Sequence, residues 1–163
     1  DAQESRGLGD VYKRQIQEGL KKTIWNGRLQ KISKNLPLYY DVAHNPAGIS
    51  ATIQTIKSVY GKVPHIVLCL KGNKEIELNT SALKNKYEKL IITGSPKMEL
   101  MEAKELAQAL ANDGLNYNIE IKNDFNDAFN VLIDSINLTN QPGIIMGSHY
   151  IAKAVFDKFG IFT

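Results

Sequence analysis

The chain has 163 residues, of which 43% are hydrophobic and 23% charged, a composition typical of one globular domain. Its formal charge is +3, and its lysines are scattered rather than interleaved with aromatic residues, which argues against a nucleic-acid-binding protein. The chain contains neither an apolar run of about 18 residues nor an apolar leader segment, so we expect a cytoplasmic protein without a membrane segment.

Segments typical of strands and of helices alternate from about residue 28 onward. Two short strands are predicted at Leu29–Ser33 and Leu38–Val42, and the turn at 35–37 that joins them is short enough to make them antiparallel. Isoleucines at helical spacing then predict a helix over Ala47–Tyr60, which ends at Gly61.

The same alternation continues to the end of the chain. Ile66–Leu70 is uniformly apolar, as in a strand that is covered on both faces. The further predicted elements are helix Ile76–Tyr87, strand Lys89–Thr93, loop Gly94–Pro96, helix Glu99–Asn112, strand Tyr117–Ile121, helix Asp124–Ile136, strand Gly143–Met146, turn Gly147–His149 and helix Tyr150–Phe159. This order predicts an α/β fold: a Rossmann-like, doubly wound, mainly parallel sheet of about six strands, with one antiparallel strand and flanking helices.

Residues 1–15 do not follow this alternation. They are polar, contain glycine and lack periodicity, and the string from Ser5 to Gln15 resembles translated adapter sequence. We therefore interpret 1–15 as a disordered or artefactual tail and confine the functional argument to 16–163.

The segment DVAHNPAG, which begins at Asp41, carries the most specific chemistry. It places a carboxylate, the imidazole of His44 and the amide of Asn45 at a turn between a predicted strand and a predicted helix. Asn45 can cap that helix, and Pro46 fits its first turn. Because α/β proteins bind nucleotides and phosphates where a helix begins at the carboxyl edge of the sheet, the segment predicts a binding site.

Two further motifs accompany this segment. Trp25 to Gln30 has the sequence WNGRLQ, and Gly147 to Tyr150 has the sequence GSHY after the last predicted strand. The combination of W-x-G-R-x-Q with D-x-A-H-N-P resembles the C-terminal domain of the folylpolyglutamate synthase/dihydrofolate synthase family, within the Mur ligase superfamily. The resemblance implies a domain of the Mur ligase C-terminal type over residues 16–163.

The resemblance implies an ADP-forming, ATP-dependent ligase that activates a carboxylate as an acyl phosphate and joins glutamate to a folate or pteroate. It also implies roles for four residues. Arg28 would contact the phosphates of ATP, Asp41 would accept hydrogen bonds from the ribose, and His44 and Asn45 would lie near the phosphates or the incoming glutamate. His44 is the one candidate for a catalytic residue. A guanidinium suits phosphate oxygens, and a carboxylate at a strand end suits adjacent hydroxyls.

Three more residues are expected near the substrate by the same resemblance: Lys74, Ser148 and His149. Lys74 lies in the loop KGNKE, where the family commonly has Asp-Lys-Asp. Here Asn73 and Glu75 replace the two aspartates, so the role of this loop departs from the family pattern.

The sequence contains no G-x-x-x-x-G-K-[ST] phosphate loop and no Cys/His spacing or carboxylate cluster typical of a metal site. The resemblance implies ATP and Mg²⁺ as cofactors. Because these motifs are absent from the sequence, we expect the central P-loop domain and the magnesium ligands to lie outside this chain, and we expect no activity of the chain alone. The expected partners of the full enzyme are ATP, glutamate and a folate or pteroate. We expect a monomer that binds neither nucleic acid nor a membrane.

Simpler interpretations of the same residues stay open. Asp41 and Asn45 could act only as helix-capping residues, and His44 could be a loop histidine held by local hydrogen bonds. Two other functions also remain: a free-standing, non-catalytic nucleotide-binding α/β module, and a Mur-type ligase for a different acid or amino acid.

Other residues are assigned to structure. Cys69 lies inside an apolar run and is expected to be a buried free thiol. His65 opens the same strand, and Tyr39 and Tyr40 are assigned to packing rather than to adenine binding.

Overall fold

The computed structural model describes residues 26–72 and 76–161, and six strands in these residues form a single sheet in the order β1-β2-β6-β3-β4-β5. The strands are β1 (Gln30–Lys31), β2 (Leu38–Asp41), β3 (His65–Leu68), β4 (Leu90–Ile92), β5 (Ile119–Ile121) and β6 (Gly143–Met146). β1 pairs with β2 in the antiparallel sense, and the other pairs of the sheet are parallel. The predicted fold class, with one antiparallel strand, is confirmed.

Helices cover both faces of this sheet. They are α1 (Pro46–Tyr60), α2 (Ile76–Leu83), α3 (Ala103–Asn112), α4 (Phe125–Thr139) and α5 (Ala152–Phe159). Apolar side chains of α1, α2 and α3 pack on one face with Ile66 and Leu68, and those of α4 and α5 pack on the other face with Val67. Alternate residues of one buried strand therefore serve two separate hydrophobic cores.

The chain reverses its direction across the sheet at β6. Helices α1, α2 and α3 carry it from β2 through β3 and β4 to β5 along one face, and α4 then returns it along the other face. β6 inserts between β2 and β3 and pairs with both. Because the loop after β6 leads to one face and the loops after its neighbours lead to the other, a crevice is expected at the carboxyl edge beside β6.

Local sequence explains the bounds of α1. The side chain of Asn45 accepts a hydrogen bond from the backbone N–H of Gly48 at 2.8 Å, and Pro46 occupies the first turn. Gly61 ends the helix with φ +67° and donates its N–H to the carbonyl of Lys57. The predicted helix, its cap and its final glycine are confirmed.

The prediction that a helix begins at Glu99 is wrong, because α3 begins at Ala103. Glu99 has a left-handed backbone with φ +58°. Met101 donates its N–H to the carbonyl of Leu70 at 2.9 Å instead of entering the helix. A tertiary hydrogen bond to the loop after β3 thus holds in loop form a segment whose apolar spacing alone suits a helix.

Three other helix ends differ from the predictions. α2 ends at Leu83 and not at Tyr87, because Asn85 adopts a left-handed conformation with φ +59°. α4 continues to Thr139, where the left-handed Asn140 closes it, and not to Ile136. α5 begins at Ala152 and not at 150, since a turn precedes it in which Ala152 donates its N–H to the carbonyl of His149.

Two predictions fall outside the described residues: the tail at 1–15, and residues 16–25 of the domain expected at 16–163, which include Trp25 of the W-x-G-R-x-Q motif. Within the described ranges, none of the helices is both long enough and apolar enough to cross a membrane.

Candidate functional site

Asp41 is the last residue of β2, and its side chain is only 5% exposed. One carboxylate oxygen accepts the backbone N–H of Leu29 at 2.8 Å, and the other accepts the backbone N–H of Ala43 at 2.8 Å. Each oxygen of a carboxylate has a second lone pair, so this pattern leaves acceptor capacity for a ligand. Asp41 therefore connects the loop that follows β2 to the turn that precedes β1.

That turn carries Arg28, which is exposed. Gly27 donates its N–H to the side chain of Gln30 at 2.9 Å, and its carbonyl accepts the N–H of Val42 at 2.8 Å. Gly27 has φ +76°, and a Cβ there would lie 2.9 Å from a methyl carbon of Val42. Glycine thus lets the turn lie directly against the chain after β2. The turn of Arg28 contacts Asp41 through the N–H of Leu29.

His44 and Asn45 occupy the short link between β2 and α1, and both are exposed. Nδ1 of His44 lies 2.9 Å from the carbonyl of Val42, and this nitrogen must donate because a carbonyl only accepts. In the neutral ring, Nε2 is then the acceptor. Asn45 caps α1, whose N-terminus brings partial positive charge to the carboxyl edge of the sheet.

A cavity of about 220 Å³ lies where the loops after β2, β3 and β6 meet. It is lined by His44, Lys71, Gly147, Ser148, His149 and Tyr150. The cavity is therefore located in the crevice that the reversal at β6 creates, and it brings three of the predicted site residues together.

The turn after β6 has a backbone that only glycine can supply. Gly147 has φ +112°, and a Cβ on it would lie 1.9 Å from the carbonyl oxygen of Cys69. Ser148 is 4% exposed, and its hydroxyl accepts the N–H of Tyr150 at 3.1 Å. The backbone carbonyl of Ser148 accepts a hydrogen bond from the hydroxyl of Tyr40 at 2.9 Å. The serine side chain thus stabilises the turn that lines the cavity.

A charged cluster beside this turn was not predicted from the sequence. The ammonium of Lys71 forms an ion pair with Glu99, and the hydroxyl of Tyr150 donates to the same carboxylate at 3.3 Å. The Lys71 nitrogen also lies 5.5 Å from the centre of the Tyr150 ring. The hydrogen bond between Lys71 and Glu99 raises the pKa of the ammonium and lowers the pKa of the carboxyl. Only the position of Lys71, directly after a predicted strand, hinted at this cluster.

The structural assignments of Cys69 and His65 agree with their surroundings. Cys69 is buried, and burial raises the pKa of its thiol to about 12. His65 is 2% exposed at the amino end of β3, away from the cavity, and its Nε2 lies 2.7 Å from the hydroxyl of Thr139. Burial lowers the pKa of its imidazole.

Lys74, the remaining predicted site residue, lies outside the described residues. Among residues 26–72 and 76–161, no group of three or more His, Cys, Asp or Glu side chains is placed to hold a metal ion.

The chain is similar to known proteins in sequence and in fold. The sequence profile of the family described as "Mur ligase, glutamate ligase domain" matches residues 27–149. The chain is 23% identical over 159 residues to dihydrofolate synthetase of Saccharomyces cerevisiae, covering 88% of the chain and 37% of that protein. It is 25% identical over 140 residues to folylpolyglutamate synthase of Lacticaseibacillus casei, covering 86% of the chain and 31% of that protein.

The fold is similar to solved structures of such enzymes. Folylpolyglutamate synthase of Mycobacterium tuberculosis, complexed with ADP and AMPPCP, superposes with a TM-score of 0.74 at 26% identity, over 85% of this chain and 33% of that one. The resemblance inferred from the Arg28 and Asp41 motifs is confirmed. The chain spans about a third of the length of these relatives.

Proposed function

The chain belongs to the Mur ligase family of glutamate ligase domains, and we propose that it is the C-terminal domain of an ATP-dependent folylpolyglutamate/dihydrofolate synthase. In this reaction a carboxylate of the folate or pteroate attacks the γ-phosphate of ATP, which releases ADP and leaves an acyl phosphate. The amine of glutamate then attacks the acyl carbon, phosphate leaves, and an amide forms. The observation that carries the proposal is the turn of Arg28, which is tied to Asp41 at the carboxyl edge of the sheet, the edge at which the cavity also opens.

Arg28 is proposed to bind the phosphates of ATP. Its flat guanidinium offers paired donors that match phosphate oxygens, and its exposure leaves it accessible to a nucleotide. Asp41 is proposed to have two roles: its bonds to Leu29 and Ala43 shape the surrounding loops, and its remaining lone pairs accept the ribose hydroxyls.

His44 and Asn45 are proposed to lie beside the phosphates, where negative charge develops during acyl phosphate formation. Preorganised N–H donors and the N-terminus of α1 favour that charge without having to reorganise. His44 stays the candidate for a catalytic role, since its Nε2 is available for proton transfer in the neutral tautomer.

The cavity is proposed to accept the incoming glutamate, with Ser148 and His149 in its lining. A role of Lys74 near the substrate stays a prediction from the family resemblance. Sites for larger ligands usually enclose about 300–1,000 Å³, so a cavity of about 220 Å³ suits an amino-acid-sized group rather than a whole nucleotide. ATP must then be held mainly by other surfaces, in agreement with the fraction of the relatives that this chain spans.

We propose a cytoplasmic monomer that uses ATP, Mg²⁺, glutamate and a folate or pteroate, with the phosphate loop and magnesium ligands supplied by other domains. Bound magnesium would neutralise charge on the phosphates. The Arg28 guanidinium would add positive charge at the same phosphates.

The test starts with the coding sequence upstream of this chain. An in-frame domain with a phosphate loop is expected there, and the full-length protein should release ADP only when both glutamate and tetrahydrofolate or dihydropteroate are present. Ligase turnover by the isolated chain would contradict the proposal. A genuine start codon near residue 16, together with micromolar ATP binding by the chain alone, would favour a free-standing nucleotide-binding module. Turnover with another acid or amino acid only would indicate a different Mur-type ligase.

A further inference from the structure

Tyr40 lies between the turn of Arg28 and the turn after β6, but it does not line the cavity. It is fully buried in β2, where it pairs with Gln30 of β1 on one side and with Ile145 of β6 on the other. Phe156 of α5 packs edge-on against its ring at a centroid distance of 5.8 Å. The phenol is therefore held in one place by both neighbouring strands and by a helix.

The same ring contacts both turns that carry the candidate site residues. Its hydroxyl donates to the carbonyl of Ser148 at 2.9 Å, although 108 residues separate the two in sequence. On its other side the ring lies against Gly27, where an added Cβ would be 3.4 Å from the ring carbon Cε1. This carbon adjoins the one that bears the hydroxyl.

We propose that Tyr40 is a positioning residue that fixes the turn of Arg28 relative to the turn of Ser148 and His149. Arg28 precedes a strand of two residues at the edge of the sheet, and hydrogen bonds to Asp41, Val42 and Gln30 tie its turn to the chain around the end of β2 but not to the turn after β6. The hydroxyl of Tyr40 anchors the ring to the turn after β6, and the anchored ring supports Gly27. The consequence of this role for catalysis rests on the proposed function, because the two turns bind substrates of the same reaction only if the chain is part of that ligase.

The hydroxyl is suited to a permanent donor role. Burial raises the pKa of Tyr40 well above its ordinary value, with smaller contributions from Cys69 and Asp41. The proton therefore stays on the hydroxyl at physiological pH, and the carbonyl of Ser148, in a buried turn, keeps its partner.

The test compares Tyr40→Phe with Tyr87→Phe in the full 163-residue chain. Tyr87 is 5% exposed, and its hydroxyl donates to the carbonyl of Tyr117 at 2.6 Å, so the control also loses the hydroxyl and the one hydrogen bond of a buried tyrosine. Amide hydrogen exchange is measured by NMR in the two turns, at 27–29 and at 147–150. In Tyr40→Phe, exchange should accelerate in both turns by about 5- to 30-fold, the effect of losing one buried hydrogen bond. The control should leave both turns unchanged.

Acceleration confined to the turn at 147–150 would overturn the proposal, and so would equal behaviour of the two variants. Kinetics of the full-length ligase supply the second readout, with KM and kcat measured separately. Tyr40→Phe should raise the KM values for ATP and for glutamate together, whereas Tyr87→Phe should change neither even if it lowers the melting temperature. If the exchange result holds but the enzyme is no ligase, the proposed function fails while the positioning role stands.

Discussion

The carboxylate of Asp41 accepts the backbone N–H of Leu29 at 2.8 Å, so the end of β2 holds the turn that carries Arg28. The family resemblance assigns Asp41 to binding the ribose, and the structure shows that Asp41 also shapes the turn of Arg28. The structural role of Asp41 and its proposed role in binding ATP are expected to be lost together when it is replaced.

Asp41→Ala should therefore lower both stability and ATP affinity. Two backbone N–H groups lose a charged acceptor, and we expect the free energy of unfolding to fall by about 2–3 kcal/mol. Urea denaturation of the isolated chain measures this. A variant as stable as the wild type would show that these two hydrogen bonds contribute little.

Arg28→Ala should separate binding from stability. Its side chain is exposed, so the free energy of unfolding should change by less than about 0.5 kcal/mol. In the full-length enzyme, the KM for ATP should rise roughly 10- to 100-fold, the effect of losing one charged contact. Arg28→Lys keeps the charge but not the fork of donors and should recover only part of the affinity. Unchanged ATP kinetics in Arg28→Ala would remove the assigned role.

Gly147→Ala should disrupt the turn that lines the cavity. Its Cβ would lie 1.9 Å from the carbonyl oxygen of Cys69, so the backbone must move. Gly61→Ala is the matched control: its φ is +67°, but no atom lies within 4 Å of the added carbon. Thermal unfolding should show a loss of about 1–2 kcal/mol for the control. The loss should be clearly larger for Gly147→Ala, and equal losses would contradict this reading of the turn.

Two buried polar side chains should be replaceable with a gain in stability. Asn79 in α2 and Thr93 after β4 are fully buried, and their side-chain polar atoms have no hydrogen-bond partner in the described part of the chain. Asn79→Leu and the isosteric Thr93→Val should each raise the free energy of unfolding by about 1–2 kcal/mol. Denaturant titration checks this, and a loss of stability in both variants would show that the polar atoms are satisfied in solution.

The buried His65 should make stability depend on pH in mildly acidic solution. Burial lowers the pKa of its imidazole in the folded state, so the unfolded chain takes up the proton more readily. The buried imidazole contributes its full stabilisation of the folded state above about pH 6.5, the ordinary pKa of histidine. This stabilisation is lost as the pH falls from there toward the lowered pKa of the folded state. The urea midpoint should therefore drop between pH 7.5 and 5.5. His65→Gln, which keeps a polar side chain near Thr139, should flatten this part of the profile.

Much of the fold is predictable because its determinants are local. The cap at Asn45 and the terminating Gly61 define α1, and Asp124 begins α4 by accepting hydrogen bonds from the N–H groups of Asn126 and Asp127. Apolar runs likewise identify the buried strands. Such features depend on neighbours in sequence, so the order and type of the elements could be inferred without the structure.

The rest depends on partners distant in sequence. The N–H of Met101 bonds to Leu70, which delays the start of α3, and the Lys71–Glu99 ion pair joins loops that only the sheet order brings together. The contact of Tyr40 with Ser148 is of the same kind. For the candidate site, the motifs identified the residues, but the hydrogen bond that Leu29, in the turn of Arg28, donates to Asp41 was visible only in the fold.

The place of β6 between β2 and β3 has a consequence for synthesis of the chain. On the ribosome, the two flanking strands emerge well before residues 143–146 and cannot pair with each other in their final positions, because another strand must enter between them. Both keep open, apolar edges until translation has passed residue 146, and chaperone binding or slow elongation in that interval should determine how much of the newly made protein escapes aggregation.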